Sequence, residues 1–185
     1  ENRAAGKAVA VDIGTTTLAM ELVDPATGRI EGSYTALNPQ RRYGADVIAR
    51  IQAAGEGKGS QMQACIREAL REGLDALTEK GEARISQMVI GANTTMVHLL
   101  MGYPCSSLGV WPFEPYDISS VDGDSREVLG DETGEFAVHI FPGVSAYIGG
   151  DITAGLYALG SRETERIRVL VDLGTNGEMA VGNRE

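Results

Sequence analysis

Two short segments carry residue types that can do chemistry on a phosphate. Asp12-Ile13-Gly14-Thr15-Thr16-Thr17 and Asp172-Leu173-Gly174-Thr175-Asn176-Gly177-Glu178 share one order: aspartate, an aliphatic residue, glycine, threonine, then a second polar residue. The glycine lets backbone N–H groups approach phosphate oxygens with no Cβ in the way. Threonine hydroxyls, and the Asn176 amide, add neutral donors. An aspartate cannot bind phosphate directly, but it can hold Mg²⁺ through water or orient an attacking water. Asp12 and Asp172 are therefore the candidate catalytic and Mg²⁺-holding residues. Gly14, Thr15, Thr16, Thr17, Gly174, Thr175, Asn176 and Gly177 are the candidate phosphate contacts. A single copy is explained equally well as a tight β-turn, since Asp, Gly and Thr all favour turns. Two copies far apart in the chain, each preceded by an apolar run, favour two related lobes that grip a phosphate tail between them. Neither GxxxxGK[ST] nor GxGxxG occurs, so other phosphate-loop designs are excluded.

These loops need strands to hold them. Lys7–Ile13 is apolar and β-branched, with the profile of a buried strand. Leu18–Asp24 resumes after the glycine turn, and Pro25–Gly28 is turn chemistry before a third strand over Arg29–Leu37. A helix is expected over Gly44–Ala54, a flexible connector over Gly55–Ser60, and a longer amphipathic helix over Gln61–Lys80. Ile85–Ile90 reads as a strand running into a helix over Asn93–Met101. Cys105–Glu135 is rich in Pro, Gly, Asp and Ser, and reads as irregular surface chain. Phe136–Phe141 is a short strand, Gly150–Leu159 a helix, and Arg168–Leu173 with Glu178–Gly182 a second hairpin. The fold class is α/β, a mixed sheet with flanking helices.

Composition narrows the function. The 185 residues carry a formal net charge of −10, with 43% apolar and 5% aromatic residues and 24 glycines. The acid excess excludes a general affinity for nucleic acid or an anionic membrane. Cys65 and Cys105 form no disulfide framework, zinc site or iron–sulfur ligand set, which suits reduced thiols in a cytoplasmic protein. No run is apolar enough to span a bilayer. The chain opens on Glu1 and stops at Glu185 soon after a strand, so a piece of a longer polypeptide is expected.

Further residues admit two readings. Arg41 and Arg42 can touch a phosphate or a protein partner, and Asp46 can pair with an arginine; equally, Asp46 can begin a helix. Asn93 can open an anion-binding helix end or act as an N-cap. His98 reads best as a hydrogen-bonded core histidine. Asp151, after Gly149-Gly150, is a third candidate catalytic acid, or else an acid placed to suit the helix dipole. Leu108, Val110, Trp111 and Phe113 form either a docking loop or a core lid.

Both hairpins resemble the two phosphate motifs of the actin/Hsp70/sugar-kinase (ASKHA) superfamily, with its actin-like, ribonuclease H-like lobes. Three further stretches narrow the resemblance: Asn38–Ile48 (NPQRRYGADVI), Gly91–Leu100 (GANTTMVHLL) and Pro142–Gly155 (PGVSAYIGGDITAG). With them the chain, from about Val9 to Gly182, is similar to the N-terminal half of the ASKHA domain of reductive activators of corrinoid-dependent methyltransferases. The resemblance implies ATP with Mg²⁺, a corrinoid-protein partner, and ATP hydrolysis assisting reduction of cob(II)alamin to cob(I)alamin. It also implies a [2Fe–2S] ferredoxin domain, whose cysteines this chain lacks. Residues 1–168 would form the first lobe, with the first hairpin (12–17) and an irregular insertion (about 105–135). Residues 169–185 would be the second hairpin and the start of a second lobe. Homodimerisation stays open. The competing readings are a small-molecule kinase of the same fold, an activator of 2-hydroxyacyl-CoA dehydratases, and a partner-binding platform that does not hydrolyse ATP.

Overall fold

The computed structural model describes residues 6–78, 83–130 and 135–184. Strands β1 (Lys7–Ile13), β2 (Thr17–Asp24) and β3 (Arg29–Leu37) form the expected antiparallel meander. On the far side of β1, strand β4 (Ile85–Ala92) runs parallel to it. Strand β5 (Val121–Asp124) pairs antiparallel with β6 (Ala137–Ile140), which is itself parallel to β4. The order across this six-stranded mixed sheet is β3-β2-β1-β4-β6-β5. Strands β7 (Arg168–Leu173) and β8 (Gly177–Gly182) make a separate two-stranded ribbon.

One face of the large sheet carries the core. Val9, Val11 and Ile13 of β1 alternate with exposed Ala10 and Asp12, so β1 is buried on one face only, not on both as its apolar composition suggests. Leu18, Met20 and Leu22 of β2, Met88 and Ile90 of β4, and Val138 and Ile140 of β6 complete that face. Against it lie helix α2 (Gly59–Leu77), through Met62, Ile66, Leu70 and Leu74, and helix α3 (Thr94–Met101), through Met96, Leu99 and Leu100. The three-and-four spacing on α2 is what places these side chains on one stripe.

The structure revises several expectations between the strands. The helix from Gly44 is shorter: α1 spans Val47–Ala53, and Asp46 caps it by accepting the Ala49 N–H at 2.8 Å. The expected flexible connector is instead a π-type turn at Ala54–Lys58, bent at Gly57 (φ 87°), and Gly59 and Ser60 already belong to α2. The expected end of that helix at Lys80 lies outside the described residues. Cys105–Glu135 is more regular than its composition implies, holding a 3-10 turn at Ser106–Gly109, strand β5 and helix α4 (Ser125–Leu129). Asp124 accepts the Glu127 N–H at 2.9 Å, a helix start signalled by Asp followed three residues later by Glu. Leu108 is buried while Val110 and Trp111 stand in solvent, so that loop is part anchor and part exposed surface. No helix among the described residues is long and apolar enough to cross a membrane.

Leu70 is fully buried at the centre of the α2–sheet contact. Leu70→Ala should cost about 2–5 kcal/mol, read as a lower midpoint in chemical denaturation with an unchanged slope. A loss below about 1 kcal/mol would mean that α2 does not anchor this core.

Candidate functional site

The first loop crosses from β1 to β2 at the edge of the core, and its carbonyls all face inward. Asn38 Nδ2 donates to Gly14 O at 2.9 Å, Arg50 donates to Thr15 O at 2.5 Å, and the Asn38 N–H donates to Thr16 O at 2.9 Å. A trans peptide points its N–H opposite to its C=O. The N–H groups of Thr15 and Thr16 therefore face away from these donors, and neither has a partner among the described residues. Unpartnered N–H groups at a glycine turn form an anion-binding concavity. Gly14 is needed for a more local reason, since a Cβ there would lie 2.9 Å from Thr17 O.

The second loop, between β7 and β8, meets the first directly. Thr16 Oγ1 and Thr175 Oγ1 are 2.8 Å apart. Between the loops is a cleft of about 280 Å³, lined by Asp12, Gly14, Thr15, Thr16, Thr17, Asn93, Asp151, Asp172, Gly174, Thr175, Asn176 and Glu178. Every candidate residue of the two hairpins except Gly177 thus reaches one cleft; Gly177 begins β8 and does not line it. Arg41 and Arg42 do not line it either, and Arg42 instead lies over the Tyr43 ring at 5.0 Å.

Asp151 arrives from helix α5 (Gly150–Ala158). Gly149 and Gly150 matter here because a Cβ on Gly149 would meet Asn93 Cα at 2.4 Å and one on Gly150 would meet Phe141 O at 2.5 Å. The two glycines bring the start of α5 close to backbone, not to a ligand. Asn93 is the N-cap of α3, accepting the Met96 N–H at 3.0 Å, and its Nδ2 also donates to Thr15 Oγ1 at 3.1 Å. It therefore caps a helix and lines the cleft together. His98 is a satisfied core residue: Nδ1 donates to Thr94 O at 2.8 Å and Nε2 accepts the Tyr116 N–H at 3.0 Å. Burial lowers its proton affinity, in keeping with a neutral ring.

Sequence reasoning overlooked Asn38 and Arg50, the two residues that aim the first loop. Asn38-Pro39 carried a partial signal, because an Asn whose side chain accepts the N–H two residues on, here Gln40 at 2.9 Å, marks a turn. Arg50 looked like any helix arginine.

The cleft is crowded with acid. Asp12 holds its proton above the ordinary carboxylate range, first because the walls desolvate it and then because Asp151 and Asp172 repel its charge. Asp151 is raised mainly by burial, with Asp172 adding and the Ile152 N–H opposing. Glu178 is raised by burial and by the charges of Asp151 and Asp172. Among the described residues no three His, Cys, Asp or Glu side chains converge tightly enough to ligate a metal ion by themselves.

The site is thus a cleft where two glycine-turn hairpins meet beside a mixed α/β sheet, and comparison with known proteins specifies the family. The chain belongs to the family described as the RACo middle region, which matches residues 7–164. It is 36% identical over 182 residues to corrinoid activation enzyme RamQ of Eubacterium limosum, covering 95% of this chain and 30% of that protein. The solved structure of a reductive activator for corrinoid, iron-sulfur protein superposes with a TM-score of 0.92 at 30% identity, over 100% of this chain and 30% of that one. The chain thus spans about a third of the length of these relatives and is a corrinoid-activator domain segment.

The raised carboxylates fix a sign. An acid whose proton affinity is higher in the folded state favours folding below its ordinary pKa and loses that contribution as pH rises through the raised value. Asp12→Asn should therefore stabilise the fold at pH 7, by no more than about 1 kcal/mol given the open cleft and read as a higher melting temperature, with the gain vanishing as pH falls below about 4. Equal melting of variant and parent at both pH values would show that Asp12 is not strained by its neighbours.

Proposed function

We propose that this chain is the nucleotide-binding, partner-recognising part of an ATP-dependent reductive activator that returns cob(II)alamin of a corrinoid protein to cob(I)alamin. The observation that carries the reading is the meeting of the two hairpins at Thr16 and Thr175, beside Thr15 and Thr16 N–H groups that have no partner among the described residues and turn away from their inward-facing carbonyls. Family membership supports the corrinoid-protein partner, which would belong to a methyltransferase system. On this reading residues 1–168 are the first ASKHA lobe and residues 169–185 begin the second.

The residues present fit a nucleotide tail. Thr15 and Thr16 N–H groups and the hydroxyls of Thr15, Thr16, Thr17 and Thr175 would donate to phosphate oxygens, with Asn176 and the Gly174 turn closing the opposite side. Asp12 and Asp172 would hold Mg²⁺ through water. The ion, when bound, neutralises phosphate charge. Asp151 would orient the attacking water by accepting its hydrogen bond. Neither cysteine serves electron transfer: Cys65 and Cys105 are buried free thiols, the latter pushed up to about 11 by burial. The reading therefore places the [2Fe–2S] electron carrier outside these residues.

The full-length protein, prepared without oxygen, should reduce its corrinoid partner in an ATP-dependent reaction followed by the cob(I)alamin absorbance. Asp12→Ala and Asp172→Ala should each slow that reduction by at least about a hundredfold. Reduction that proceeds equally well without ATP, or unchanged in both variants, sinks the hydrolytic reading and leaves a binding platform.

A further inference from the structure

Arg50 lies behind the first loop, fully buried, and its charge has no obvious local answer. Its Nε donates to Gly44 O at 3.0 Å, one terminal nitrogen donates to Thr15 O at 2.5 Å, and the other contacts Met96 Sδ at 3.2 Å. All three partners are neutral. No described carboxylate forms an ion pair with it. Asp46, an acid on the same turn of chain, uses its carboxylate to cap α1. Burial first, and then the nearby Arg41 charge, press against the charged form of Arg50, while Cys65 and Asp46 favour it less strongly and leave the net direction downward.

A buried guanidinium without a carboxylate is destabilising unless something offsets its desolvation. Carbonyl contacts alone do not require a full charge, because a glutamine amide donates hydrogen bonds at a smaller desolvation cost. The charge is placed where it acts on the cleft. Its hydrogen bond polarises the Thr15–Thr16 peptide from the carbonyl side; the Thr16 N–H lies on the opposite side of that peptide, has no partner among the described residues, and belongs to a residue that lines the cleft. Arg50 itself does not line the cleft.

We propose that Arg50 is a positioning residue that charges the phosphate loop from behind, so that the counter-ion of its buried guanidinium is the bound polyphosphate. The inference rests on the nucleotide reading of the cleft and adds a specificity: the loop selects for anionic charge, reached through the Thr15 peptide and not by direct contact. The four acids that line the cleft make such a charge useful, since they repel the same anion that the loop attracts.

Binding of ATP, inorganic tripolyphosphate and adenosine to the full-length protein, by calorimetry with Mg²⁺ present, tests the proposal. Arg50→Gln should weaken ATP and tripolyphosphate by at least about tenfold and leave adenosine within about twofold. Arg50→Lys, which keeps the charge but not the planar fork, should retain most of the polyphosphate affinity. Two results overturn the proposal. One is Arg50→Gln binding polyphosphate as well as the parent, or losing adenosine to the same degree, which marks a purely structural residue. The other is Arg50→Lys losing polyphosphate affinity while still binding adenosine, which assigns the effect to hydrogen-bond geometry; this outcome is readable even if Arg50→Gln fails to fold. If the parent binds adenosine but not tripolyphosphate, the charge-selection inference fails alone. If it binds none of the three, the nucleotide reading fails with it.

Discussion

The inward turn of three carbonyls, those of Gly14, Thr15 and Thr16, is the constraint around which this molecule is arranged. Backbone carbonyls buried at a strand end must be satisfied or the loop will not hold its shape. Here the donors come from two different places, the residue just after β3 and a side chain in the middle of α1. Each donor needs its own support. Asn38 is held by the Gln40 N–H, which donates to its side-chain Oδ1, and Arg50 by its donation to Gly44 O. Gly44 is itself constrained, because a Cβ there would come within 2.8 Å of the Arg50 backbone nitrogen. The long Asn38–Ile48 segment thus behaves as one bracket that fixes the direction of the loop. The cleft-facing N–H groups are a consequence of that bracket.

The two hairpins share residue order but not support. The first belongs to a six-stranded sheet with helices packed on one face. The second is a two-stranded ribbon whose Val169, Val171, Leu173, Met179 and Val181 are all exposed. Its apolar strands have the composition of core strands, and α5 packs against only part of them. Two strands with this much exposed apolar surface are poorly suited to stand alone. The contact between Thr16 and Thr175 nevertheless brings the ribbon's turn to the first loop.

Much of this was legible in the sequence where the cause is local. The three-strand meander follows from alternating apolar residues and the Pro25–Gly28 turn, and the shared Asp-x-Gly-Thr order places a turn at each strand end. Asp151 beside a cleft followed from a helix start next to the second hairpin. What was hidden depends on tertiary direction. Arg50 carries no local mark, because its role arises only when α1 lies across the end of β1. Strand β5 is Val-Asp-Gly-Asp, too short and too polar to show a period, and it is a strand only because β6 offers an open edge. The exposed second face of β1 was visible in Asp12 and Ala10, yet the β-branched run masked it.

Charge explains why the site needs both of its halves. Asp12, Asp151, Asp172 and Glu178 line a space whose other described lining includes neutral donors, among them threonine hydroxyls and the Asn93 and Asn176 side chains. Neutral donors aimed in advance can hold an anion, but four carboxylates around the same space oppose it. The opposition falls if a cation enters with the anion, or if positive charge stands behind the donors. On the proposed reading the acids favour the first arrangement and Arg50 supplies the second. An isolated anion would then meet repulsion from the front, an isolated cation would lack a close-packed ligand set, and a metal-bound polyphosphate would satisfy both. On the proposed nucleotide reading the cleft suits a pair of charges, since its acids repel a lone anion and attract the cation that would accompany it.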